Sequence, residues 1–158
     1  SGLDGTGIAG EAADLNNDGR VDLLIAGDPD NSNNNESLFA SPDRYADKVY
    51  MNTGALSGDN HWLRLRFSGI SHARLIGSRV GVFETQTDKR LGTRGVYTNH
   101  AYKTGSSLQV HFGLGAHDRV NLRVNLPSGA TIELNAVQAN RFLDLDLRDA
   151  TLTEVQTD

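Results

Sequence analysis

This 158-residue chain predicts an all-β protein, an antiparallel β-sandwich preceded by a β-hairpin, on three observations. Apolar and polar residues alternate with period two in several short runs, as strands covered on one face require. Helical periodicity is nearly absent, and 17 glycines punctuate the runs. The composition is ordinary for a globular chain, and a chain of this length can bury roughly 70% of its unfolded surface. With no cysteine, disulfides, a Cys zinc site and a thiol nucleophile are excluded.

The elements follow in order. Two strand candidates, about 7–13 and 21–27, flank a polar loop, and a third covers Lys48–Asn52. The stretch 36–48 is helix-permissive but interrupted by Pro42. Ser57-Gly58-Asp59 reads as a joint, giving a first region at 1–56, a sandwich at 57–147 and a C-terminal tail at 148–158. In the second region Leu63, Leu65 and Phe67 alternate with Arg64 and Arg66. Val120, Leu122, Val124 and Leu126 alternate with Arg119, Asn121, Arg123 and Asn125, and Leu143, Leu145 and Leu147 with Asp144 and Asp146. Further strands are expected near 78–85, 91–98, 107–112 and 130–135. Turns are expected at Ser68-Gly69, Lys103-Thr104-Gly105, Gly113-Leu114-Gly115 and Pro127-Ser128-Gly129. Seven short strands at this spacing favour a sandwich.

Charge divides the chain in the same way. The net −5 averages residues 1–60, with 11 acids and 3 bases, against residues 61–158, with 9 acids and 12 bases. The first part suits cations, while the second is too weakly basic for a nucleic-acid binder. No apolar run approaches the roughly 20 residues of a membrane span. No signal peptide is visible and the chain opens in mid-pattern, so a piece of a longer protein is expected.

The strongest chemical signal is Asp14-Leu15-Asn16-Asn17-Asp18-Gly19-Arg20-Val21-Asp22. Side-chain oxygens stand at loop positions 1, 3, 5 and 9 and glycine at 6, the ligand spacing of calcium loops. Ca²⁺ takes six to eight hard oxygen ligands, alternate residues of a tight loop point inward, and position 7 offers a main-chain carbonyl, here that of Arg20. Position 12 is Ile25, not the closing Glu of an EF-hand, and Leu23-Leu24-Ile25 reads as a buried strand. The expectation is therefore a strand–loop–strand Ca²⁺ site with Asp14, Asn16, Asp18, Arg20 and Asp22 as ligands. The plainer alternative is a solvated Asx-rich turn. Three acids in one loop repel one another unless a cation sits among them, and Mg²⁺ demands a stricter octahedron. Asp28, Asp30, Ser32, Asn34 and Glu36 form a second, glycine-free candidate, and Asn35-Glu36-Ser37 is a glycosylation sequon.

Residues Gly10-Glu11-Ala12-Ala13-Asp14 through Asp22-Leu23-Leu24-Ile25-Ala26-Gly27 resemble an FG-GAP/VCBS repeat, the calcium-loop blade unit of integrin-type β-propellers, over about 5–54. The rest resembles an ASPIC/UnbV domain, the module that follows such repeats in bacterial secreted proteins and in cartilage acidic protein. Asn60-His61-Trp62-Leu63-Arg64-Leu65, Ile76-Gly77-Ser78-Arg79-Val80, His111-Phe112-Gly113-Leu114-Gly115, Asp118-Arg119-Val120, Leu126-Pro127-Ser128-Gly129 and Asn140-Arg141-Phe142-Leu143 carry that resemblance over about 60–147. Only one blade is present where these families carry several. The resemblance implies an extracellular, calcium-dependent, non-enzymatic surface module, secreted or at the cell surface.

Other motifs carry less. Gly5-Thr6-Gly7-Ile8-Ala9-Gly10 matches GxGxxG but lacks the preceding strand and following helix of a dinucleotide site. The five histidines form no metal spacing, and no serine sits in a nucleophile elbow, so no catalytic residue and no organic cofactor is expected. Alternation places Trp62 with Arg64 and Arg66, candidate ligand-binding residues for a sugar or a protein partner; the plainer reading is a covered edge tryptophan. The remaining strand arginines, among them 79, 90, 119 and 123, read as solvated faces that could instead meet the acidic first part or a neighbour. The functional expectation is an adhesion or matrix-type module with a protein or glycan partner. A carbohydrate-binding module and a self-associating subunit of an extracellular filament are its rivals.

Overall fold

A computed structural model describes residues 7–27, 47–54, 58–98 and 107–156. The helix-permissive stretch up to residue 46, the second cation candidate, the sequon and the turn at Lys103-Thr104-Gly105 lie outside the described residues. The described residues fall into two compact units, one up to Thr53 and one from Gly54 onward.

The first unit is a three-stranded antiparallel sheet, β1 (Gly7–Ala13), β2 (Asp22–Gly27) and β3 (Lys48–Tyr50), with β2 in the middle. Ala13 pairs with Asp22 at the mouth of the loop, and Leu24 pairs with Glu11 on one side and Val49 on the other. All three strands fall within the stretches expected at 7–13, 21–27 and 48–52.

The second unit holds β4 (His61–Ser68), a single-turn helix α1 (His72–Leu75), β5 (Arg79–Glu84), β6 (Arg90–Gly95), β7 (Val110–Gly115), β8 (Arg119–Asn125), β9 (Thr131–Gln138), β10 (Arg141–Asp146) and β11 (Thr151–Glu154). They form two four-stranded sheets, β11-β10-β4-β7 and β6-β5-β8-β9. Leu63, Leu65, Val110, Phe112, Leu143 and Leu145 from the first meet Val80, Val82, Val120, Leu122 and Val124 from the second in one core. These are the apolar members of the alternating runs, so the dry faces of the sheets are the ones the sequence marks.

The structure departs from expectation in four places. Gly113-Leu114-Gly115 is the end of β7 rather than a turn, because Leu114 continues the buried series Val110 and Phe112. The tail pairs as β11, with Leu152 opposite Leu145 and packed on the core. The sheets are antiparallel except that β4 and β10 run parallel, Leu65 beside Leu143. Helix α1 has no counterpart in the sequence patterning, since only Leu75 is buried in its four residues.

Two backbone positions hold the ends of β4 to β10. Asn140 (φ 59°) donates its N–H to the Trp62 carbonyl at 2.6 Å, and its Oδ1 accepts the Trp62 N–H at 3.2 Å. At the other end Gly69 (φ 85°) faces Asp146 so closely that a Cβ there would strike the carboxylate. A side chain at Gly69 would meet both that clash and the penalty of the left-handed region.

Candidate functional site

The loop between β1 and β2 is built around its own carboxylates. Asn17 (φ 59°) and Gly19 (φ 83°) are left-handed, which folds the chain tightly back on itself. The Asp14 carboxylate accepts the N–H groups of Asp18 and Gly19, each at 3.0 Å. Asp22 accepts the Leu15 N–H at 3.0 Å and the Asn52 N–H at 2.8 Å, tying both ends of the loop to the segment just after β3. Asp14 and Asp22 are buried, at 6% and 2% exposure, and they are the only buried side chains among residues 9–26 and 47–53. Ordinarily such burial is reserved for apolar groups, because a carboxylate loses hydration there.

Asp18 is the member nearest to solvent. Its Oδ1 accepts the Arg20 N–H at 2.8 Å, and its Oδ2 takes the Asn16 amide at 2.9 Å and the Arg20 guanidinium at 2.6 Å. Burial alone would push its pKa up, but the hydrogen bonds from the Arg20 N–H, Asn16 and the Arg20 guanidinium, together with the Arg20 charge, hold it below the usual carboxylate range. Arg20 also reaches the Asn52 carbonyl through Nε at 2.9 Å. All the sequence-predicted loop residues are thus brought into one turn. Among the described residues no group of three or more His, Cys, Asp or Glu side chains is disposed to hold a metal ion, and Asp18 is turned toward Arg20. The donor set fits Ca²⁺ in chemistry, being hard oxygens throughout. Asp18 would exchange its guanidinium for the ion.

Asn52 is the residue that sequence reasoning missed. It bonds Asp22 and Arg20 across 30 and 32 residues, a contact no local spacing encodes. The only signal for it is the strand pattern just before it.

Trp62, Arg64 and Arg66 do share one face of β4, as alternation requires, but they are engaged there with their own neighbours. Trp62 stacks on His111 with ring centroids 5.9 Å apart and planes 7° from parallel. Arg64 lies 4.4 Å from the Phe142 ring centre and bonds Gln109 at 2.8 Å. Arg66 donates to Asp144 at 2.6 Å, and Ser68 donates to the other oxygen of the same carboxylate. These side chains are therefore paired with neighbours on the adjoining strands, His111 on β7 and Phe142 and Asp144 on β10, which is the arrangement of a stabilised sheet surface.

Compared with known families, residues 69–152 match a family model described as ASPIC and UnbV, just over half of the chain. The match begins after β4 and ends inside β11, so it takes in most of the sandwich and none of the loop at 14–22. No curated protein matches the chain.

Proposed function

This chain belongs to the ASPIC and UnbV family, and from that premise we propose that it is a non-catalytic, Ca²⁺-binding interaction module that works outside the cell in adhesion or matrix assembly. One observation carries the proposal. The first unit buries the carboxylates of Asp14 and Asp22 in the turn between β1 and β2. Two buried carboxylates with Asp18 beside them in one turn repel one another, and a divalent cation among Asp14, Asp18 and Asp22 would cancel that repulsion and order the loop. Asp14, Asn16, Asp18 and Asp22 would bind through side chains and Arg20 through its carbonyl. The resemblance of this stretch to an FG-GAP/VCBS repeat supports the same reading. Extracellular modules bind Ca²⁺ at about 10⁻⁴–10⁻³ M, an affinity that only the millimolar calcium outside cells would satisfy.

Calorimetric titration of CaCl₂ into the intact chain tests this. The wild type should bind one ion, Asp18→Ala should lose binding, and Arg20→Gln should bind more tightly because no guanidinium competes for Asp18. Absence of binding by the wild type in millimolar CaCl₂ would overturn the proposal.

A second reading, self-association, is favoured by Leu24 and its cross-strand neighbour Val49. They are 39% and 53% exposed, with Met51 at 46%, all on the first unit. Light scattering should then show a concentration-dependent rise in mass that Val49→Lys removes; a constant monomer mass would exclude it.

A further inference from the structure

Arg20 bonds beyond its own loop. Within the turn its N–H meets Asp18 Oδ1 at 2.8 Å and its Nη2 meets Asp18 Oδ2 at 2.6 Å. Its Nε donates to the Asn52 carbonyl at 2.9 Å, 32 residues further along the chain. One planar guanidinium thus spans two segments of the first unit with two different nitrogens. Asn52 stands two residues before Gly54, where the second unit begins, so the bridge closes on the segment through which the chain passes from one unit to the next.

This arrangement satisfies both oxygens of Asp18. Oδ1 has the Arg20 N–H, and Oδ2 has the guanidinium together with the Asn16 amide at 2.9 Å. Asp14 and Asp22 are met instead by main-chain N–H groups, those of Asp18 and Gly19 for the first and of Leu15 and Asn52 for the second. A carboxylate can keep a main-chain N–H and still turn a lone pair toward an ion. A guanidinium on the same oxygen carries a full positive charge, and two cations on one oxygen repel strongly. Arg20 therefore cannot share Asp18 with a divalent cation.

We propose that Arg20 is a latch worked by the cation: closed across Asp18 and the Asn52 carbonyl without the ion, and opened by its entry, which frees the guanidinium to solvent and releases one tie on the segment after β3. The latch deepens the reading of the loop as a Ca²⁺ site and rests on it. Its closure depends on the shape of the side chain and not on charge alone. Arginine offers Nη2 and Nε from one rigid fork, whereas a lysine ammonium is a single nitrogen and cannot hold Asp18 and Asn52 in that way. The other ties on Asn52, its N–H to Asp22 and its side-chain amide to the Val21 carbonyl, carry no positive charge and stay in place. Opening therefore has a sign of its own. Calcium should slow exchange at the bonded main-chain amides of the loop and speed it at the Arg20 Nε–H.

Heteronuclear NMR of the intact chain, titrated with CaCl₂ from an EGTA buffer, reads both signals. The Arg20 Nε–H should be protected in EGTA and should lose that protection in step with the calcium-dependent shifts of the Asp18 and Gly19 amides. The Nε–H of Arg148, which is paired with Asp146 in the second unit, should not respond. In the same titration Arg20→Lys should bind calcium several-fold more tightly than the wild type, because the charge is kept and the clamp is lost. An Arg20 Nε–H that is unprotected in EGTA, or that stays protected while the loop amides report a bound ion, would overturn the latch and leave the calcium site standing. Equal affinity of the wild type and Arg20→Lys would overturn it too, reducing Arg20 to a competing charge. Loop amides that ignore millimolar CaCl₂ would overturn the calcium reading and the latch with it.

Discussion

The two units solve the problem of staying folded by different means. Every buried apolar side chain among the described residues lies between Leu63 and Leu147, in the sandwich, whereas the first unit buries Asp14 and Asp22. Burial of apolar area acts everywhere at once and needs no partner outside the chain. A knot of carboxylates acts at one point and depends on the donors or cations that meet it. The sandwich accordingly carries its own order. On the proposed function, the first unit is the element whose order depends on a bound cation.

The contrast can be broken first from the sandwich side. Leu145 is fully buried near the end of β10, so Leu145→Ala should cost about 2–5 kcal/mol. The single tryptophan, Trp62, lies on β4 beside it and makes intrinsic fluorescence a probe of this unit alone. A denaturant titration followed by that fluorescence should shift to a clearly lower midpoint.

The first unit offers the matching test. Asp22→Ala leaves the Leu15 and Asn52 N–H groups without their acceptor, at about 1–3 kcal/mol for each group that stays buried. Limited proteolysis should then cut within the loop, while the fluorescence midpoint of the sandwich stays where it was. A shift of that midpoint equal to the one from Leu145→Ala would mean that the units do not unfold separately.

A smaller effect sharpens the picture of the sandwich edge. The Arg148 guanidinium bonded to Asp146, helped by the Arg148 N–H and its charge and opposed by burial, lowers the Asp146 pKa to about 2. A depressed carboxylate pKa stabilises the fold above its unfolded value near 4, and that contribution fades as pH falls through about 4 to about 2. The melting temperature of Arg148→Gln should therefore lie slightly below the wild type at pH 6. The two should converge near pH 2. A gap that persists there would assign the effect of Arg148 to something other than Asp146.

Much of the sandwich was legible because period-two alternation is a local signal. Seven of its strands follow from runs such as Val120, Leu122 and Val124, whose burial the structure repeats residue by residue. The misread positions are those where a non-local contact decides. Gly113 and Gly115 look like a turn until Leu114 is seen to complete a buried row. β11 is too short to show alternation and is specified by its partner β10. The parallel pairing of β4 with β10 joins residues 78 apart, which no window along the chain can reveal. The candidate site divides in the same way. The loop at 14–22 is legible from its oxygen spacing, whereas Asn52 emerges only when strands are placed side by side.

Amide hydrogen exchange, measured with and without EGTA in a millimolar calcium buffer, tests most directly the claim that a cation orders the first unit. Chelation should speed exchange at the bonded amides of Leu15, Asp18, Gly19 and Asn52 at least 10-fold and leave Val80, Leu122 and Val124 unchanged. Identical exchange at the loop amides in both buffers would contradict it.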